Sequence, residues 1–297
     1  MSPRPGVVNS RTVLVCGAGL MGQGIAQTLA VAGHAVRLFE PEHARAEAGL
    51  ARIGNGLDRM VASGRLTVEQ AETARQRVSV APDLATAVEG IDIAIEAIVE
   101  EERAKRALFE ELDGVAPLAA ILASNTSSLS IATLVSATRR ARRGLVIGMH
   151  FFSPVPSMPV VEIIRGPDTS DATVDLVRAL AESMAKTPLM SADRPGFMVN
   201  RMLFPLLAEA MRELEEGVGS ATDIDAAARL GLGHPMGPLE LADRIGLDVC
   251  LSILEVLAEG IDGHRFRPPD VLRDILSAGH LGRKTGRGFH TYPDSAG

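Results

Sequence analysis

The apolar positions of this chain follow two regimes. From Thr12 to Met190, short apolar runs alternate with stretches of helical period. The runs at 12–16 (TVLVC), 35–39 (AVRLF), 78–80 (VSV), 91–95 (IDIAI), 120–123 (AILA), 145–147 (LVI), 160–164 (VVEII) and 187–190 read as strands. Strands that alternate with helices predict a largely parallel, doubly wound α/β sheet. From Pro195 onward the period is helical throughout, with turns at Gly217, Gly231-Leu232-Gly233 and Gly260. The change of texture places a boundary near Ser191 to Pro195, dividing the chain into a sheet domain, 1–192, and an all-helical domain, 193–297. One stretch is too long for an ordinary crossover. Residues 42–77 read as one or two polar helices broken near Gly64 and are expected to project from the sheet, either as a solvated hairpin or as an arm that touches substrate. An acid-rich helix is expected directly after Glu96, over AIVEEERAKRALFEELD.

The first strand runs straight into Gly17-Ala18-Gly19-Leu20-Met21-Gly22, a helix follows, and the second strand ends at Glu40. This order has a physical reading: the first glycine permits a tight turn, the second lets a pyrophosphate approach the backbone, and the third lets helix and strand pack closely. The helix N-terminus offers unpaired N–H groups to the phosphates. An acid at the position of Glu40 accepts hydrogen bonds from the ribose hydroxyls and repels a 2′-phosphate. A bare GxGxxG is a weak signal, but strand before, helix after and acid on time make a dinucleotide site of the Rossmann type, with NAD favoured over NADP.

The stretch 144–164, GLVIGMHFFSPVPSMPVVEII, carries the second candidate site. A strand ends at His150, a proline-containing loop follows, and the next strand holds Glu162 among apolar residues. If the two strands pair with the turn near Pro156, His150 and Glu162 face each other. A carboxylate beside an imidazole favours the protonated ring and fixes which nitrogen is free to react. That makes a general acid or base, or simply a core histidine with an ionic partner. A hydroxyl cluster, Ser124-Asn125-Thr126-Ser127-Ser128, follows the fifth strand. It lies where doubly wound sheets bind ligands, though on local sequence alone a helix cap is the stronger reading. Asn200 lies early in the first C-terminal helix beside Val199 and Met202, and its amide needs either a core partner or a ligand.

Composition narrows the rest. The chain has 297 residues, 46% of them hydrophobic and 23% charged, enough for a substantial core. A net charge of −7 without a basic run, no Trp and one Tyr argue against nucleic acid as a partner. Cys16 and Cys250 sit in apolar runs and read as buried thiols of a reducing compartment, pointing to the cytoplasm. The opening residues, MSPRPGVVNSR, carry no apolar signal segment, and no run is long enough to span a membrane. No metal is expected. The apolar faces of the helical domain suggest pairing with a second copy, a homodimer.

Seven segments, in order, add a further layer. They are GAGLMGQGIA at 17–26, EAIVEE at 96–101, ASNTSSLSI at 123–131, GMHFFSPVPSMPVVEII at 148–164, RPGFMVNRML at 194–203, GLGHPMGPLELAD at 231–243 and GRKTGRGF at 282–289. Together they resemble the (S)-3-hydroxyacyl-CoA dehydrogenase family, and most closely its short-chain members, the 3-hydroxybutyryl-CoA dehydrogenases. The resemblance implies an NAD-dependent oxidoreductase acting on an acyl-CoA thioester. It implies His150 as catalytic acid/base and Glu162 as its orienting carboxylate. Ser127 and Asn200 are then the residues that hydrogen-bond the reacting oxygen and the thioester. It also implies cofactor contacts from the glycine turn, Glu40, Glu100, Lys105, Ser127, Ser153 and Lys284.

Three departures stand out. The ribose acid, usually Asp in the family, is Glu40; Ser153 stands where the family often has Asn; and Gly54-Asn55-Gly56-Leu57 replaces an arm segment that commonly carries a lysine for the CoA phosphates. Arg52, Arg59 or Arg65 can take that lysine's place, or the acyl carrier is not CoA. Gly54 and Gly56 are expected to weaken their helix by roughly 1 kcal/mol each relative to Ala. Three alternatives remain open at this point: a dehydrogenase of acyl groups on a carrier protein, a dehydrogenase of small free hydroxy acids, and a non-enzymatic NAD(H) binder.

Overall fold

The computed structural model describes residues 10–292, so the opening stretch MSPRPGVVNSR, expected to carry no signal segment, lies outside the described residues but for Ser10 and Arg11. The chain divides into two compact units, 1–193 and 194–297. In the first unit the elements run β1 (Thr12–Cys16), α1 (Leu20–Val31), β2 (Ala35–Phe39), α2 (His43–Ala62), α3 (Val68–Gln76), β3 (Val78–Val80), α4 (Leu84–Ala87) and β4 (Ile93–Glu96). They continue α5 (Glu102–Val115), β5 (Ile121–Ser124), α6 (Ile131–Val135), β6 (Val146–Phe151), β7 (Val160–Arg165), α7 (Asp171–Ser183) and β8 (Thr187–Ala192). The eight strands form one sheet in the order β3-β2-β1-β4-β5-β6-β7-β8. Pairing is parallel from β3 through to β6; β7 then runs antiparallel to β6, and β8 parallel to β7. The strand order reverses between β1 and β4, the kind of switch point at whose carboxyl ends doubly wound sheets bind ligands.

The continuous apolar runs have their reason in this layout. Val13, Leu14, Val15, Ile93, Ile95, Ile147 and Ile163 are buried because parallel strands are covered on both faces. The fifth helix begins at Glu102, later than expected, and residues 97–101 form a connection over the carboxyl end of β4. β6 continues through His150 to Phe151.

The arm does not project. Ile53 and Leu57 of α2 and Ala71 and Ala74 of α3 are buried in the same core as α1, β2 and β3. Burying an Ile or Leu side chain contributes roughly 1.5–3 kcal/mol, so a free-standing arm would forfeit several kcal/mol. The glycines serve this closeness. A Cβ at Gly49 would lie 2.8 Å from Ala18 Cβ, and one at Gly56 would overlap the amide of Gln27. The helical penalty at Gly56 is thus offset by contact of α2 with α1. At Gly54 the obstacle is the tip of the Arg75 side chain, which can swing away, so the expected penalty stands there.

The second unit contains α8 (Val199–Glu215), α9 (Ala221–Gly231), α10 (Pro238–Ile245), α11 (Leu247–Gly260) and α12 (Asp270–Ser277). Phe204, Leu207, Met211, Leu239, Leu254 and Phe266 lead its core. Two buried acids organise its polar interior. Asp225 accepts the N–H groups of Leu239 and Glu240 at the start of α10 and pairs with His290 Nε2 at 2.7 Å. Asp243 accepts the N–H groups of Phe289 and His290 and the hydroxyl of Tyr292, pinning the last described residues.

In the first unit a buried histidine joins distant segments. His34 Nδ1 accepts the Arg11 N–H at 3.2 Å, which leaves Nε2–H to donate to Ser183 Oγ at 2.8 Å. Burial lowers its pKa; the charges of Arg11 and Arg77 lower it further and Asp92 opposes them. The folded state therefore refuses a proton that the unfolded chain accepts below about pH 6.5, and this contribution to stability is lost as pH falls through that value. Thermal unfolding followed from about pH 7.5 to about pH 5.5 is expected to show a falling Tm in the wild type and a flatter profile in His34→Asn. Equal slopes would mean that another group controls this range.

Candidate active site

Antiparallel pairing of β6 and β7 sets His150 directly opposite Glu162. Opposed residues project to one face with Cβ atoms about 4.5–5.5 Å apart, within reach of a direct bond. His150 Nδ1 lies 2.7 Å from Glu162 Oε2. Glu162 is 0% exposed and His150 is 6% exposed. A carboxylate so deep must accept a hydrogen bond, and Nδ1–H is the donor that faces it. The Phe152 ring packs on the imidazole with ring centres 4.5 Å apart, restricting its tilt.

The loop after β5 adjoins this pair. Asn125 Oδ1 accepts the Phe151 N–H at 2.9 Å, tying the hydroxyl cluster to the end of β6. The cluster does not cap a helix: Ser130 caps α6, while the other hydroxyls turn to two acids. Ser124 Oγ donates to Glu96 Oε2 at 2.5 Å. Glu100 Oε1 accepts the Thr126 hydroxyl, the Ser127 N–H and both the N–H and hydroxyl of Ser128. Its Oε2 lies 2.8 Å from Lys105 Nζ, and Glu96 Oε1 lies 2.7 Å from the same nitrogen. Lys105, at 1% exposed, is therefore an internal cation shared by two carboxylates. Burial pushes the Glu100 carboxyl up, but Lys105 and the donors from Thr126 and Ser127 outweigh it and hold the pKa down at about 2. Stability from this group is present above the ordinary glutamate range and is lost as pH falls towards that value.

The glycine turn has the form of a dinucleotide cradle. Gly17 has φ of +105°, and a Cβ there would sit 2.5 Å from the Ala97 carbonyl oxygen. A Cβ at Gly22 would overlap the Gly17 carbonyl, so the third glycine seats α1 against the turn. At Gly19, which precedes α1 without a side-chain cap, a Cβ would meet nothing within 4 Å, so the backbone faces open space. The N–H groups of Leu20 and Met21 begin the helix at that opening. Glu40 Oε2 accepts the Ala18 N–H at 3.2 Å, with Arg45 Nε 3.8 Å from its other oxygen. These residues fit a pyrophosphate and a ribose diol.

Beside the turn lies a cavity of about 320 Å³ between α1, α2 and the loop after β6. Arg52, Arg59, Arg65, Asn55, Ser153 and Ser157 are among its walls. Arg52 is already engaged, donating to the Ala18 carbonyl at 3.1 Å and to Gln23 at 2.8 Å. Arg65 donates to Ser63. Arg59 makes no side-chain hydrogen bond or ion pair among the described residues.

Two predicted site residues lie in the second unit. Asn200 is buried in the first turn of α8. Lys284 reaches both carboxylate oxygens of Asp248, at 2.6 and 2.7 Å.

Comparison with known proteins agrees with the fold in both units. Residues 12–194 match the 3-hydroxyacyl-CoA dehydrogenase NAD binding domain, and residues 196–292 match the 3-hydroxyacyl-CoA dehydrogenase C-terminal domain. This chain belongs to the 3-hydroxyacyl-CoA dehydrogenase family. It is 48% identical over 284 residues to a probable 3-hydroxybutyryl-CoA dehydrogenase of Bacillus subtilis, covering 96% of this chain and 98% of that one. It is 46% identical to a 3-hydroxybutyryl-CoA dehydrogenase of Bradyrhizobium diazoefficiens, with 95% of each covered. Among solved structures, an (S)-3-hydroxybutyryl-CoA dehydrogenase from Ralstonia eutropha superposes with a TM-score of 0.92 at 42% identity, covering 96% of this chain and all of that one.

Within this family fold, several residues escaped sequence reasoning. Glu96 looked like the end of a strand, yet it is the fully buried base of the Lys105 network. Asn125 looked like one more polar loop residue. An acid closing an apolar strand, followed by a lysine in the next helix, was the available signal for the first; nothing local marked the second. Arg45 is not adjacent to Glu40 in sequence, but the turn into α2 brings it alongside.

The shared cation gives a direct test. Removing one partner of a buried ion pair typically destabilises by about 3–5 kcal/mol, so Lys105→Met should lower stability by roughly that amount in urea unfolding. A loss below about 1 kcal/mol would mean that the two carboxylates are held by their other donors.

Proposed function

We propose that this chain interconverts a short-chain (S)-3-hydroxyacyl-CoA, of the 3-hydroxybutyryl type, and the corresponding 3-ketoacyl-CoA with NAD as cofactor. The observation that carries the reading is the His150–Glu162 pair at 2.7 Å, on the strand next to the hydroxyl loop. His150 Nε2 removes the proton from the 3-hydroxyl as C3 releases hydride. In the reverse direction the protonated ring gives that proton to the oxygen of the ketone. Glu162, which accepts from Nδ1, stabilises the imidazolium in either direction. Bound NAD supplies the redox chemistry, taking up hydride or returning it. Acid–base catalysis of this kind is worth about 10²–10⁴ in rate, or about 3–5 kcal/mol, and positioning must supply the rest.

Ser127 and Asn200 hydrogen-bond the reacting oxygen and the thioester carbonyl in this reading. Glu100, clamped by Lys105, keeps the Ser127 segment in place. The glycine turn holds the pyrophosphate, Glu40 the ribose, and Ser153 and Lys284 make further cofactor contacts. The arginines of the cavity, Arg59 above all, take the role of the missing arm lysine towards the carrier's phosphates, which supports CoA as the carrier. Among the described residues no helix is long and apolar enough to cross a membrane. With its buried, unpaired thiols at Cys16 and Cys250, the chain suits the cytoplasm. Leu230, Leu232, Met202 and Val249 are exposed apolar residues of the helical unit, and Leu230 is 87% exposed. They support assembly as a homodimer through that unit.

His150→Ala should cut turnover of acetoacetyl-CoA with NADH by about 10²–10⁴ with little change in NADH affinity; near-normal turnover would reject the assignment. The same spectrophotometric assay, run with carrier-protein thioesters and with free acetoacetate, should favour CoA. Higher kcat/KM on either competitor would transfer the reading to that substrate. Glu40→Ala should weaken NADH binding, and unchanged affinity would mean that the ribose is held elsewhere. Light scattering should give twice the 31.3 kDa chain mass, and a monomer would count against pairing.

A further inference from the structure

The chain has three lysines, Lys105, Lys186 and Lys284. Lys105 and Lys284 sit against carboxylates. Lys186 does not: among the described residues it forms no ion pair, although it is only 6% exposed. Its ammonium donates instead to the main-chain carbonyls of Val155 and Met158, at 2.7 and 2.8 Å. A buried cation without a counter-charge is disfavoured, and burial accordingly lowers its pKa. Two carbonyl dipoles alone hold it there.

The turn that delivers Lys186 is itself strained. Ala185, between α7 and β8, has φ of 54°, a left-handed conformation that glycine usually supplies after a helix. The Lys186 N–H closes the turn on the Ala181 carbonyl at 3.1 Å. The loop that Lys186 grips is also pressed from its other side. A Cβ at Gly24 of α1 would sit 2.9 Å from Val155 Cβ, so the missing side chain is what lets Val155 settle on the dinucleotide helix. Ser153 to Ser157 run between these two fixings and line the arginine-bearing cavity.

We propose that Lys186 is a positioning residue that staples the loop after β6 through the Val155 and Met158 carbonyls, so that Ser157 keeps its place in the cavity wall and thioester affinity is set there. It rests on the reading of the cavity as the seat of the carrier's phosphates. His150 itself is held by the β6–β7 ladder and by Glu162. Of the loop only Phe152 packs on its ring, ahead of the two carbonyls that Lys186 holds.

The test is a KM-against-kcat comparison on Lys186→Met, joined to hydrogen exchange of the loop. KM for acetoacetyl-CoA should rise about tenfold or more while kcat stays within about threefold. The Ser157 and Met158 amides, both bonded to the Pro154 carbonyl, should exchange about tenfold faster while β6 amides hold their protection. Lys186→Arg, which keeps a cation and several donors, should recover part of both. Unchanged KM with unchanged loop exchange would overturn the proposal, as would a fall in kcat alone. If the Met variant does not fold, Lys186→Gln carries the comparison, with a smaller rise in KM expected and no change rejecting the idea. A wild type that turns over no CoA thioester would sink the functional reading, and the loop exchange rates would then decide the role of Lys186 by themselves.

Discussion

A carboxylate with no exposed surface, inside a sheet, must be given a hydrogen-bond donor, and in this fold Glu162 is given His150. That requirement links the local sequence to the topology. The sheet is parallel up to β6, and had β7 continued the pattern, residue-for-residue opposition of the two would not arise from a short loop. A reversal after Phe151 sets the pair in register, so that the buried acid and the ring that satisfies it fall on one face. The same bond assigns the tautomer. The geometry that removes an energetic liability from the core therefore also commits Nδ1 to Glu162.

The glycine turn is built from backbone more than from side chains. Gly17 and Gly22 allow β1, the turn and α1 to meet closely, and Gly19 leaves the backbone open at the start of α1. The arm takes part in this. α2 lies on α1 closely enough for Arg52 to hold the Ala18 carbonyl and for Gly49 to touch Ala18. A segment that resembles an appendage in sequence thus supports the dinucleotide turn and walls the adjoining cavity.

Fixed internal charge is the second theme. Lys105 bridges Glu96 and Glu100, and Glu100 in turn gathers the donors of the Thr126 to Ser128 loop onto one oxygen. None of these groups is isolated in low dielectric; each charge has a partner or a set of dipoles. Such a network resists small displacements, because moving one member strands another.

Much of the molecule was legible in the chain itself. The strand runs, the Gly17–Gly22 turn, Glu40 at the end of β2 and the change to helix after Pro195 are local patterns, since period and glycine placement answer to backbone sterics and to burial. The opposition of His150 and Glu162 was also within reach, because a short loop between two apolar strands leaves few registers. Other features needed the folded chain. That Glu96 and Lys105 meet inside the core, that Asn125 bonds to Phe151, that Arg45 comes beside Glu40, and that α2 and α3 lie down on α1 all depend on distances between segments far apart in sequence. Periodicity states which face of an element is apolar, but not which neighbour will cover it. A buried charge states that it needs a partner, while only the packing of the whole sheet decides which atom that partner will be.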